Sequence, residues 1–282
     1  MRRKLIFLTA TLQATLWAAS PIARGQSNQA VTQAGAAPKI INIVHEALIP
    51  GREAAYAELL AKIAAGYKRA KIPVYWLESR SLTGATDSMS LNFFDSFADA
   101  ETALHALGVA TAAHPEFMPM QQQLLTYTSS VTNAIAVRRD NASYRPASID
   151  FSKARILRVV TIHVRQGHEE EFDEAIKDLS ASYQKLNADA PWVTYQVNAG
   201  APSTTFVIFL PMRSLKEMDD YIARTALLRD GEGETIYSRL QEIARNAYLS
   251  WDSELYVVSP AASHVSDDFA ARDPGFWRLA QY

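Results

Sequence analysis

Two stretches of this 282-residue chain share one grammar, and that duplication constrains the fold more than any motif. The first starts at Lys39 and runs through Ile49-Pro50-Gly51 into an amphipathic stretch. The second starts at Ala154 and runs through Arg165-Gln166-Gly167 into another. Aligning Gly51 with Gly167 places Tyr56 on Phe172, Leu60 on Ile176, Ile63 on Leu179 and Tyr67 on Tyr183. The matches recur at helical spacing, so they describe one buried helix face written twice. Two residues are then gained: Pro73 falls on Pro191 and Ser96-Phe97 on Ser214-Leu215, and later Tyr127 and Ser129 fall on Tyr248 and Ser250. An ordered series over roughly a hundred residues is the mark of an internal repeat.

Periodicity gives the elements of each copy. In copy one, strands are expected over 40–49, 74–82, 88–94 and 130–137, with helices over 53–69 and from Phe97 to about Thr126, broken near His114-Pro115. Copy two gives strands over 155–165, 192–198, 204–210 and 251–258, with helices over 169–186 and 214–246. Glu169, Glu170 and Glu171 open the first of these helices, where carboxylates interact favourably with the N-terminal end. The order β-α-β-β-α-β is that of a ferredoxin-like unit. Its four-stranded sheet is covered by helices on one face only. The other face carries apolar side chains and needs a partner, which in a tandem chain is the second copy.

The remainder divides as follows. Residues 1–25 begin with Arg2, Arg3 and Lys4, continue in an apolar run from Leu5 to Ala19, and end in small residues before Gln26, the order of a secretory signal. The run is too short for a membrane span. Residues 26–38 read as a flexible leader, 39–137 as unit one, 138–153 as a polar linker, 154–258 as unit two and 259–282 as a tail that can strap across the barrel or mediate association. A periplasmic or secreted protein is therefore expected, with no membrane span once the signal is removed. Beyond residue 25 the chain is net −6 and has no basic tract, which argues against nucleic acid as a partner. The chain has no cysteine, which excludes disulfides, thiolate nucleophiles and Cys-ligated metal centres.

Taken together, the strand ending in Ile49-Pro50-Gly51 or Arg165-Gln166-Gly167, the helix with Tyr56 or Phe172, and the stretch Phe93 to Leu107 followed by His114-Pro115-Glu116-Phe117 resemble the dimeric α/β-barrel superfamily in its single-chain tandem form. They are similar to antibiotic-biosynthesis-monooxygenase-like and NIPSNAP-like members. The resemblance implies an α+β fold with two ferredoxin-like units packed sheet to sheet. That superfamily spans cofactor-independent oxygenases, haem enzymes, isomerases and stress-response proteins, so it does not fix an activity.

Candidate functional residues lie on the strands. His45 and His163 share one strand parity and could point into one enclosure as bases or ligand contacts. Asn42, Glu46 and Arg158 occupy the other parity; they line the interior if that face turns inward, and Arg158 and Glu46 could then pair. Trp76 and Tyr195, with Tyr75 and Trp192, could stack on a flat ligand or simply pack. His105 and His114 have no counterparts in copy two, which fits a surface helix; no histidine on the later helix of copy two offers haem an axial ligand. Zinc-protease and nucleophile-elbow motifs are absent. No cofactor and no metal is implied. The leading expectation is a protein that binds a small apolar or aromatic molecule between its two sheets, with homo-oligomerisation possible in principle. The alternatives are a cofactor-independent monooxygenase or isomerase, and a structural protein with a filled core.

Overall fold

The computed structural model describes residues 37–230 and 234–278. The expected export signal and most of the leader lie outside the described residues. Unit one contains β1 (Ile40–Leu48), α1 (Glu53–Arg69), β2 (Leu77–Ser81), β3 (Asp87–Phe94), α2 (Phe97–Ala113), α3 (Phe117–Leu125) and β4 (Thr128–Arg138). Unit two repeats the order in β5 (Ile156–Val164), α4 (Glu169–Lys185), β6 (Val193–Ala199), β7 (Thr205–Met212), α5 (Lys216–Asp230), α6 (Glu234–Ala247) and β8 (Tyr248–Val258). Two short helices end the described chain, α7 (Asp267–Ala271) and α8 (Pro274–Arg278).

The strands form one closed antiparallel barrel in the order β1-β3-β2-β8-β5-β7-β6-β4. Closure leaves no free sheet edge. The fold is thus the expected pair of ferredoxin-like units, joined at the β2–β8 and β4–β6 seams into a pseudo-dimeric α/β barrel.

Both copies start their first helix the same way. Gly51 and Gly167 turn the chain at positive φ, 83° and 90°, and their N–H groups donate to the carboxylates of Glu53 and Glu169 at 3.1 and 2.8 Å. Glu169 is therefore part of a helix start, as expected. The repeated face is buried as the alignment requires: Tyr56, Leu60, Ile63 and Tyr67 on α1, and Phe172, Ile176 and Tyr183 on α4.

Four expectations are corrected. The last strands align at Tyr127 with Ala247, not with Tyr248: Ile49 N–H donates to Tyr127 and, 116 residues on, Arg165 N–H donates to Ala247. Each of these strands carries a β-bulge at the equivalent place, Ser129 in β4 and Leu249 in β8, which spacing alone cannot show. β2 starts only at Leu77, because Trp76 before it pairs with His264 of the tail rather than with a strand. The long helix of copy two is divided into α5 and α6. The linker is not merely polar: Ala142, Tyr144, Ile149 and Phe151 are buried.

Odd-numbered residues of β1 and β5 face the barrel interior. Ile41, Ile43, Leu157 and Val159 join Tyr195, Phe209 and Tyr256 in the inner cluster. One end of the barrel is plugged by the linker and tail. Phe151 meets Phe93 with ring centroids 5.0 Å apart, and the Trp277 indole N–H donates to Ser152 O at 2.8 Å. At the other end Ser130, Thr132, Ser250 and Asp252 are exposed. Even-numbered residues of β1 and β5 lie beneath the helices, so Asn42, Glu46 and Arg158 do not line the interior.

Candidate functional site

Three places in the fold collect polar side chains, one inside the barrel and one beneath the helices of each copy.

Inside the barrel, His45 and His163 do share the inner face, but β1 and β5 are four strands apart in the ring of eight. They belong to different groups. His45 Nδ1 lies 3.5 Å from Asp87 Oδ2, and its ring meets that of Tyr256 edge-on with centroids 6.1 Å apart. The Tyr256 hydroxyl lies 3.1 Å from Asp87 Oδ2 and 3.0 Å from Glu254 Oε2. One hydroxyl proton cannot serve both carboxylates, and Asp87 Oδ1 is buried without a partner among the described residues. Burial first, then these two carboxylates, push the Tyr256 phenol well above its usual range. His163 Nδ1 instead meets Thr205 Oγ1 at 2.9 Å. Tyr195, also internal, donates to Pro38 O at 2.8 Å and anchors the start of the described chain. Trp76 is committed as well, its indole N–H donating to Ala262 O at 2.8 Å. Both of these aromatics hold the fold together.

Beneath the helices of copy one lies a carboxylate pair. Glu78 is 3% exposed and accepts hydrogen bonds from Ser88 and Ser90, while Tyr56 donates to Glu46. Burial raises both acids, Glu78 to about 8. The aligned positions of copy two are Ile162, Phe172, Phe206 and Ile208, for Glu46, Tyr56, Ser88 and Ser90. There the Phe172 and Phe206 rings stack with centroids 4.0 Å apart. At these four positions the interface is thus polar in one copy and apolar in the other, while the register position of Glu78 is held by Thr194, whose hydroxyl donates to Ala142 O. The expected Glu46–Arg158 pair does not form, because the two residues sit beneath different helix layers.

Beneath α5 of copy two the sheet and helix enclose a cavity of about 510 Å³. Arg158 on β5 lies at its wall and is only 6% exposed. Its Nε donates to Ser253 Oγ at 3.0 Å, and its guanidinium carbon sits 3.9 Å from the centre of the Tyr221 ring on α5. Arg224, one turn further along α5, also lines the cavity. Its side chain hydrogen-bonds Tyr183, yet its Nε is buried without a partner among the described residues. Leu210, Met212 and Met218 add apolar wall. The acids at the cavity are largely engaged or exposed: Asp150 meets Lys153 at 3.7 Å and Arg272 at 3.6 Å, Glu217 accepts from Arg213 N–H at 3.0 Å, and Asp189 and Asp220 are exposed. Such a cleft combines apolar walls with a few convergent polar groups, the usual composition of a small-molecule site.

Arg158 was legible in the sequence as a polar residue on an apolar strand. Tyr221, Arg224, Glu78, Asp87 and Tyr256 were not, because each gains its meaning only across elements distant in sequence. Alternation of Ser88 and Ser90 along β3 was the one available signal for the copy-one cluster. Among the described residues no group of three or more His, Asp or Glu side chains could hold a metal ion, and no helix is long and apolar enough to cross a membrane.

No protein-family model matches the sequence, and no curated protein matches it. Solved structures do match in fold. An anthrone oxidase-like protein is 14% identical with a TM-score of 0.49, over 78% of this chain and 92% of that one. A candidate monooxygenase from Lactobacillus acidophilus NCFM is 10% identical with a TM-score of 0.48, over 78% and 93%. A mutant chlorite dismutase from Candidatus Nitrospira defluvii, in complex with cyanide, is 10% identical with a TM-score of 0.47, over 86% and 96%. What this chain shares with all three is a fold.

Proposed function

We propose that this chain is an exported small-molecule-binding protein whose binding site is the cleft between β5, β7 and α5 of the second copy. The observation that carries the reading is the cavity of about 510 Å³ with Arg158 buried at its wall. A volume of that order accommodates a small organic molecule. The expected location between the two sheets moves accordingly: aromatic side chains of the linker and tail fill one end of the barrel interior, whereas the cleft lies on the helix side of the sheet. The N-terminal cations and apolar run support export.

The test is protection against thermal unfolding by a panel of one- and two-ring aromatic compounds. A ligand at a hundred times its Kd stabilises the folded state by about 2.7 kcal/mol. Met218→Trp places an indole in the cleft and should remove the protection. Protection that survives this substitution places the ligand elsewhere and defeats the reading.

The group formed by His45, Asp87 and Tyr256 favours a second reading, proton transfer on a substrate reaching the barrel end where Ser130, Thr132, Ser250 and Asp252 are exposed. Enolisable ketones followed by solvent deuterium exchange test it. Exchange that His45→Ala leaves unchanged, or no exchange at all, removes it.

A further inference from the structure

We infer that the cleft of the second copy is built for a monocarboxylate carrying a flat apolar body, with Arg158 and Arg224 receiving the carboxylate. The inference rests on the cleft being a binding site and names the chemistry of what it binds.

A buried guanidinium is costly unless its charge is compensated. Arg158 is 6% exposed, yet among the described residues its only hydrogen bond is the one from Nε to Ser253. Its stack on Tyr221 neutralises no charge and leaves the two terminal nitrogens without an acceptor among the described residues. Those two nitrogens form the fork that pairs with a carboxylate through two parallel hydrogen bonds. Arg224 adds a second guanidinium at the wall of the same cavity. Two guanidinium groups at one void, with the fork of Arg158 unengaged among the described residues, are complementary to an anion.

The repeat shows that this arrangement is not a requirement of the scaffold. In the alignment Arg158 falls on Asn42, Leu210 on Asn92, Tyr221 on Ala103 and Arg224 on Ala106. In copy one Asn42 closes on Asn92 at 3.0 Å, and Asn92 closes on Tyr75 O at 2.8 Å. The same fold is therefore completed without either arginine when no charge has to be received.

The surroundings favour an anion of low charge. Lys153, Arg213, Arg158 and Arg224 are balanced at the cavity by Asp150, Asp189, Glu217 and Asp220, which leaves no excess of positive charge for a polyphosphate. The apolar wall of Leu210, Met212 and Met218 suits a hydrocarbon or aromatic body.

The experiment is calorimetric titration of the chain with 2-naphthoate and with naphthalene-2-carboxamide, its neutral counterpart, at pH 7. The carboxylate is expected to bind at least about tenfold more tightly, as a charge-assisted pair over a neutral one. Arg158→Gln should remove that preference while leaving the amide's affinity within about twofold. Arg158→Lys, which keeps the charge but not the fork, should retain part of it. Arg224→Gln gives an independent reduction should Arg158→Gln fail to fold, as judged by circular dichroism. Equal affinity of acid and amide, unchanged by either arginine substitution, overturns the carboxylate inference and leaves the binding site standing. If neither compound binds, nor any member of the aromatic panel, both the inference and the proposed function fall.

Discussion

Arg158 and Tyr221 meet face to face across the second copy, the guanidinium carbon 3.9 Å from the ring centre. The pair ties β5 to α5 where the cleft opens, and it orients the arginine's terminal nitrogens. A desolvated cation–π contact of this kind is worth about 2 kcal/mol. Tyr221→Leu keeps the apolar bulk and removes the ring face. It is expected to lower stability by roughly 1–2 kcal/mol in urea unfolding, and to reduce carboxylate affinity more than amide affinity.

Glu78 gives the folded protein a pH dependence with a defined sign. Its folded value is raised to about 8 from an ordinary 4.5, chiefly by burial. Between those values the unfolded chain has released this proton while the folded chain still holds it, so stability falls as pH rises from about 4.5 to about 8. Glu46, raised in the same way, adds to the fall. Glu78→Gln keeps acceptors for Ser88 and Ser90 without a titrating group. Its unfolding free energy should match wild type near pH 4.5 and exceed it at pH 8, and a parallel decline in both proteins would refute this account.

His264 acts in the opposite direction. It is 5% exposed, set among Tyr67, Tyr75 and Trp76, and Nε2 lies 2.9 Å from Ile72 O, so that nitrogen carries the proton of a neutral ring. Burial lowers its folded value below the ordinary 6.5. The unfolded chain then binds more protons as pH falls through 6.5, and stability is lost on that side. His264→Phe should flatten the acid limb and cost about 1 kcal/mol at pH 7 for the lost hydrogen bond. Below pH 6.5 the Glu78 and His264 contributions oppose each other, so each single substitution exposes the slope of the other group and the double substitution removes both.

Gly66 shows how close α1 and α3 approach. A Cβ at this position would overlap the ring of Phe117. Alanine is the better helix former by about 1 kcal/mol, but overpacking a close contact costs about 1–3 kcal/mol. Gly66→Ala should therefore destabilise, and Phe117→Leu in the same chain should recover part of the loss. A stabilised Gly66→Ala variant would show that the ring moves aside freely.

The helix faces were legible because each is set by a local period: Tyr56 and Tyr67, or Phe172 and Tyr183, recur at spacings that only one helix side satisfies. The duplication was legible for the same reason, and with it the need for the two sheets to meet. Strand parity was not. Both sides of β1 and β5 carry apolar residues, since one faces the barrel core and the other the helices, so alternation could not rank His45 against Asn42. The aromatic residues were ambiguous for a related reason: whether Trp76 or Tyr195 is free to hold a ligand depends on Ala262 and Pro38, which lie 186 and 157 residues away.

The sequence by itself determined two ferredoxin-like units with matching helices, because periodicity, turn glycines and repeat register are properties of neighbouring residues. Tertiary structure decided where a void could remain. Barrel closure turned one face of each sheet into core, and the linker and tail filled one end of it. The charge of Arg158 was then left beneath α5, beside a ring and a second arginine that no local pattern had linked to it.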